Sequence, residues 1–140
     1  MDKKIGFIGL GNVGSKVANN ILKQGYNLHV HDLNKNLSKE LISKGAIWCN
    51  SIEKLIKNTS VFITCLPSPK SVKKVITDTL TFIDKKHLWI EMSTTDEEDM
   101  KSLSKKLLEK KAEVIEAPIT GGQHRAESGN IAILVGGERD

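Results

Sequence analysis

Cysteine is nearly missing from this sequence: Cys49 and Cys65 are the only two in 140 residues. They are too few for a metal box and too far apart for a thiol redox pair. Both fall at or near expected strand ends and read as small buried hydrophobes. No metal site is expected. Arginine is as scarce, with Arg125 and Arg139 alone among 21 basic residues, and aromatic residues make up 4%. The net charge of +4 therefore comes without the arginines that read base edges and without a platform for base stacking. Nucleic acid is excluded as an expected partner. The lysines, including Lys85-Lys86 and Lys110-Lys111, are expected on solvated helix faces and in loops. No apolar run is long enough to span a bilayer, so no membrane partner is expected either. Met1-Asp2-Lys3-Lys4 leads directly into an apolar strand. No signal peptide is expected, and the default location is cytoplasmic.

What is present is a chain that can fold. It is 39% hydrophobic and 27% charged, which suits one domain with a sizeable core. It is organised around Lys3 to Gly14, where a short apolar strand runs into Gly9-Leu10-Gly11-Asn12-Val13-Gly14. Val13, Val17, Ala18, Ile21 and Leu22 then recur at helical spacing. In such a G-x-G-x-x-G turn Gly9 lets the chain leave the strand sharply. Gly11 lets the backbone approach a pyrophosphate, and Gly14 lets the helix pack closely on the sheet. The helix N-terminus offers free N–H groups and partial positive charge to phosphates. Tyr26 to His31 reads as the next strand, and Asp32 ends it. An acid there accepts hydrogen bonds from adenosine ribose hydroxyls and repels a 2′-phosphate. No arginine stands near, and Lys35 offers a single positive charge against the carboxylate. The cofactor expected is NAD, with NADP the weaker alternative.

Strand and helix signals alternate along the rest of the chain. Leu37 to Lys44 reads as a short helix closed by Gly45, and Ala46 to Cys49 as the third strand. Ser51 caps a helix through Ile56. Ser60 to Leu66 is a continuous apolar run suited to a central parallel strand, broken by Pro67 and Pro69. Val72, Val75 and Ile76 begin another helix, and His87 to Met92 is the fifth strand. Thr95-Asp96-Glu97-Glu98 reads as a capping box opening a helix to about Lys111, with Met100, Leu103, Leu107 and Leu108 as its apolar stripe. Glu113 to Ala117 is a sixth strand and Asn130 to Val135 a seventh. With no helix expected between them, the seventh should run antiparallel at or near a sheet edge. This order indicates an α/β fold, a doubly wound and mostly parallel sheet of the Rossmann type.

Ligands of such sheets bind beyond the carboxyl ends of the strands. Four loops qualify: Gly9 to Gly14, Leu66 to Lys70, Ser93 to Thr95, and Pro118 to Gly129. In the last, Pro118, Thr120, Gly121 and Gly122 form a glycine-rich turn with one hydroxyl. Its amides can form an anion nest that suits a small carboxylate, or it can be a plain turn.

Several of these stretches together resemble the N-terminal half of the β-hydroxyacid dehydrogenase family, which includes 3-hydroxyisobutyrate dehydrogenase. They are G-F-I-G-L-G-N-V-G at Gly6 to Gly14, C-L-P at Cys65 to Pro67, E-M-S-T at Glu91 to Thr94, and A-P-I-T-G-G-Q-H-R-A-E-S-G-N-I at Ala117 to Ile131. The resemblance implies that Leu66 and Pro67 lie along the cofactor and Thr94 near the nicotinamide. It implies that Thr120, Gly121 and Gly122 hold the substrate carboxylate. Hydride would pass between nicotinamide and a short β-hydroxy acid. Thr120 stands where the family most often has Ser, and Glu97 where a Pro is common. The family is also about twice this length. Its catalytic Lys and a helping Asn come from a later helical part, so residues 1–140 are expected to be the cofactor-binding half alone. No catalytic residue is named in this chain: Lys70 does not match the catalytic one, and the match to His124 is not catalytic. The chain alone is expected to be inactive, and any homo-oligomer to form through the helical half. The alternatives are a non-catalytic NAD-binding module or truncated relic, and a 6-phosphogluconate dehydrogenase-like or imine reductase-like enzyme sharing the cofactor domain.

Overall fold

The computed structural model describes residues 3–137; Met1, Asp2 and Arg139 of the sequence reading lie outside them. The apolar run at the start forms β1 (Lys4–Ile8), and the glycine turn leads into α1 (Gly14–Lys23). There follow β2 (Asn27–His31), a 3-10 turn (Lys35–Ser38) continuing into α2 (Lys39–Ser43), β3 (Ile47–Trp48) and α3 (Ile52–Asn58). Next come β4 (Val61–Thr64), α4 (Pro69–Thr79), β5 (Leu88–Glu91), α5 (Glu97–Glu109) and β6 (Glu113–Glu116). These six strands form one sheet in the order β3-β2-β1-β4-β5-β6, and every pairing in it is parallel. The expected Rossmann-type fold is what the chain adopts.

The alternation of side chains across the pleat explains the continuous apolar strands. Phe7 joins the core on one face and Ile8 the core on the other, and Ile63 and Phe62 divide the same way. On the first face α1 contributes Val17 and Ala18 and α2 contributes Leu41. On the second, α3, α4 and α5 contribute Leu55, Val72, Ile76, Leu103 and Leu107. Burying each such large apolar side chain stabilises the fold by roughly 1.5–3 kcal/mol. Side-chain caps start two helices on the second face. Ser51 Oγ accepts from the Lys54 amide at 3.1 Å, and Ser68 Oγ from the Ser71 amide at 3.2 Å. Pro69 is the first residue of α4, where its missing N–H is no loss, so it begins this helix instead of breaking the chain into a loop.

Three expectations need correction. Thr95 does not cap α5: Asp96 holds the cap position without a side-chain hydrogen bond, and Thr95 Oγ1 is buried with no partner. The acidic first turn, Glu97, Glu98 and Asp99, favours the helix start through the dipole instead. Leu108 is 55% exposed, because the buried stripe runs Met100, Leu103, Leu107 and the next residue turns away from it. Lastly, the segment after β6 contains a helix. The chain forms β7 (Ile119–Thr120), α6 (Gly122–Ser128) and β8 (Ala132–Ile133). The last strand is antiparallel as expected, but its partner is β7 in a separate two-stranded ribbon. An antiparallel bridge from Glu116 to Gly136 ties this ribbon to the edge strand β6. Helix α6 rests on α1, where Asn20 Nδ2 donates to the Ala126 carbonyl at 2.7 Å and Lys16 pairs with Glu127 at 3.4 Å.

Candidate functional site

The strand order reverses between β1 and β4, and the crevice above their carboxyl ends is where a ligand of such a sheet belongs. The glycine turn lies at its centre. Gly9 has φ 101°, and a Cβ on it would stand 2.2 Å from the Cys65 carbonyl oxygen. A Cβ on Gly14 would stand 2.2 Å from the Gly9 carbonyl oxygen. The fold itself therefore requires both glycines, the first for its turn and its approach to β4, the second for packing α1 on the turn. Gly11 differs: it is exposed, and a Cβ there would meet nothing within 4 Å. Among the described residues the amides of Gly11, Asn12 and Val13 donate to no protein acceptor. These are the orphan donors that open a helix.

Asp32 stands beside this turn at the end of β2. Its Oδ2 accepts from the Leu10 amide at 2.7 Å and its Oδ1 from the Asn34 amide at 2.8 Å. The carboxylate is half-buried, leaving lone pairs free for further donors. The Lys35 ammonium is drawn over the Trp48 ring, 5.9 Å from its centroid, and Trp48 in turn stacks on His31 at 5.5 Å. Leu10, Gly11 and Asn12 line a cavity of about 290 Å³ between α1 and α2, which also meets Lys16, Lys23 and Lys44.

Val13 faces the other way, into a cleft of about 340 Å³. Leu66, Thr94, Thr120, Gly121 and Gly122 line the same cleft, so all four strand-end loops of the sequence reading meet there. Cys65, Met92, Ser93, Ile119 and Ile131 complete its wall. Pro67 is exposed beside Leu66 and is not part of that lining. Gly121 and Gly122 have φ 123° and 72°, which any side chain would resist; they turn the chain from β7 into α6. No Lys, His, Asp or Glu is among the residues lining the cleft. Lys70 and His124 are exposed on their helices. The thiol of Cys65 is pushed up to about 11, first by burial and then by the charge of Glu91, so it stays neutral near pH 7.

A buried polar chain beneath the cleft escaped the sequence reading. Trp89 Nε1 donates to Thr64 Oγ1 at 2.8 Å, and Thr64 Oγ1 donates to Glu91 Oε2 at 2.6 Å. Glu91 Oε1 accepts from the Ser93 amide, and Ser93 Oγ accepts from the Leu66 amide at 2.8 Å. The signal was an acid inside an otherwise apolar strand, because a carboxylate in such a place must be hydrogen-bonded. Asn20 was missed for lack of any local signal. Among the described residues no cluster of three or more metal-ligating side chains occurs, and no helix is long and apolar enough to cross a membrane.

Known proteins share this fold. The chain is 38% identical over 136 residues to a mitochondrial 3-hydroxyisobutyrate dehydrogenase of Drosophila melanogaster, covering 96% of this chain and 42% of that one. Among solved structures it is similar to a 3-hydroxyisobutyrate dehydrogenase of Mycobacterium tuberculosis with L-serine. That match has TM-score 0.92 and 26% identity over 99% of this chain and 47% of the other. It is also similar to Psf3 in complex with NADP+ and 2-OPP, with TM-score 0.90 and 27% identity over 96% and 49%. The chain spans about half the length of the relatives it matches. A family profile described as the NAD binding domain of 6-phosphogluconate dehydrogenase matches residues 4–140. With a glycine turn at the switch point of its parallel sheet, and 3-hydroxyisobutyrate dehydrogenases among its relatives, the chain belongs to this family of NAD-binding domains.

Proposed function

We propose that this domain binds NAD in preference to NADP and serves an oxidoreductase of the 3-hydroxyisobutyrate dehydrogenase kind, acting on a short β-hydroxy acid. The observation that carries the reading is the convergence of Val13, Leu66, Thr94, Thr120, Gly121 and Gly122 on one cleft at the topological switch point. The unpartnered amides of Gly11, Asn12 and Val13 are the donors for a pyrophosphate, and the open side of Gly11 leaves room for it. Asp32 is the acceptor for ribose hydroxyls. Its negative charge opposes a 2′-phosphate, while Lys35 is engaged over Trp48. Leu66 and Thr94 line one side of the cleft: Leu66, with Pro67 exposed beside it, is assigned to run along the cofactor, and Thr94 to lie near the nicotinamide. Thr120 Oγ1 and the amides of Gly121 and Gly122 receive the substrate carboxylate.

Bound NAD supplies the hydride acceptor for oxidation of the carbinol. The cleft residues orient the two reactants and exclude water from one side. None lining the cleft is a competent base for the hydroxyl proton. That task falls to residues beyond 1–140, as does any homo-oligomer contact. NADP is the alternative cofactor, favoured by the complex of the similar Psf3. Calorimetric titration with both dinucleotides is the test: tighter binding of NAD supports the assignment, and equal or tighter binding of NADP overturns it. A cytoplasmic location belongs to the same proposal. Several relatives are named as mitochondrial, and cell fractionation decides between the two.

A further inference from the structure

We propose that Glu91 is a positioning residue: through Ser93 its ionised carboxylate fixes the Leu66 amide, and with it the spacing of the β4 and β5 loops on which dinucleotide binding depends. The inference rests on the cofactor reading above but concerns a residue that lines neither of the two cavities described above. Glu91 is 2% exposed at the carboxyl end of β5, paired in register with Thr64 of β4. The Trp89 indole can only donate, so Thr64 Oγ1 accepts from it and its own proton goes to Glu91 Oε2. The Ser93 amide can only donate, and it occupies Oε1. Both carboxylate oxygens therefore face donors, an arrangement that only the ionised form satisfies. Ser93 carries the effect onward, because its hydroxyl oxygen accepts the Leu66 amide across from the other loop.

Protonation breaks this arrangement at one end or the other. On Oε2 the new proton reverses the bond to Thr64 and leaves the Thr64 hydroxyl proton without its acceptor. On Oε1 it meets the Ser93 N–H. Burial is the main cause that holds Glu91 above the ordinary glutamate range, with Glu116 raising it further, while the hydrogen bonds from Ser93 and Thr64 pull it down. The other titratable groups that face it are Glu116, its register partner on β6, and the Cys65 thiol at the end of β4. The thiol stays neutral throughout the acidic range, so among the described residues Glu116 is the charge that raises Glu91 and whose removal should move the midpoint.

The experiment follows the free chain and its NADH binding together. Amide and indole N–H resonances of chain 1–140 are recorded from about pH 8 down to about pH 4.5, and NADH affinity is measured across the same series. The expected result is that the Trp89 indole and the Leu66 amide shift with one common midpoint. NADH affinity should fall roughly tenfold through it, the equivalent of one charge-assisted hydrogen bond. Glu91→Gln should show the weakened affinity at every pH, and since Asp32 is unchanged in it, the difference from wild type belongs to Glu91. Glu116→Gln should move the midpoint to lower pH. Should Glu91→Gln fold poorly, Ser93→Ala tests the same link: the Trp89 indole should still titrate while the Leu66 amide no longer follows. Wild-type affinity in folded Glu91→Gln, or a Leu66 amide that ignores the Trp89 midpoint in the wild type, overturns the inference. Coupled resonances with no NADH binding at any pH overturn the cofactor reading itself, and with it the role in binding.

Discussion

The Asp32 carboxylate accepts the Leu10 amide proton at 2.7 Å, joining the end of β2 to the middle of the glycine turn. One side chain thus braces the glycine turn and, on the proposed reading, also presents its charge to the ribose. The two roles separate by substitution. Asp32→Asn keeps an oxygen for the Leu10 amide but loses the charge, and should erase the preference for NAD over NADP while the turn stays ordered. Asp32→Ala loses both, and should weaken NAD binding by a further ~0.5–1.5 kcal/mol, the value of a neutral hydrogen bond. Parallel titrations of both variants with NAD and NADP check this. An unchanged preference in Asp32→Asn would reject the charge argument.

Gly9 and Gly11 should respond in opposite ways. A Cβ on Gly9 collides with the Cys65 carbonyl at 2.2 Å and the backbone there has φ 101°, so Gly9→Val should destabilise the domain by more than about 2 kcal/mol. Gly11→Val meets open space and should leave the melting temperature nearly unchanged, yet abolish dinucleotide binding. Thermal denaturation paired with titration reads both. A Gly11→Val protein that binds NAD like wild type would leave the turn with a structural role only.

Acid sensitivity should come in part from His29, which is buried in β2 with Nε2 unpartnered. Burial first, and the nearby Lys4 second, hold its pKa below 6.5. The unfolded chain therefore takes up this proton at a higher pH than the folded one. Stability is fully present above 6.5 and declines as pH falls from there through the folded value. His29→Leu should flatten the stability curve over that window, measured by urea denaturation at a series of pH values. A curve with the wild-type slope would assign the acid sensitivity elsewhere.

Purified chain 1–140 with NAD and a panel of short β-hydroxy acids should give no turnover by NADH absorbance. A positioned general base typically contributes ~10²–10⁴-fold, and no residue lining the cleft is suited to be one. Robust turnover lost in His124→Ala would place the base in α6. Turnover surviving that change would mean a base elsewhere in the domain.

The main sheet was legible because its central strands are buried on both faces and need no partner to be recognised, Ser60 to Leu66 above all. Helix α6 was not. It has seven residues with one buried side chain, Ala126, too few positions for a helical period to register. Thr95 misled because a capping box is a pattern of residue types, whereas the cap depends on where the hydroxyl points, and here it points into the protein. For the site, the loops could be named from strand ends alone. The brace from Asp32 to Leu10 and the hold of Asn20 on α6 join residues 22 and 106 positions apart, the cleft joins residues as distant as Val13 and Ile131, and no local pattern encodes those.

The central place of β1 has a consequence for synthesis. Its pairing with β2 can form early, but its other edge is completed only by Val61 to Thr64 of β4. At roughly 5–20 residues per second, a ribosome leaves that edge open for some seconds. During this interval the apolar strand Ile5 to Ile8 offers unpaired amides and carbonyls to any neighbouring extended chain. The strand that anchors the finished sheet is thus the one whose second edge waits longest for its partner while the chain is being made.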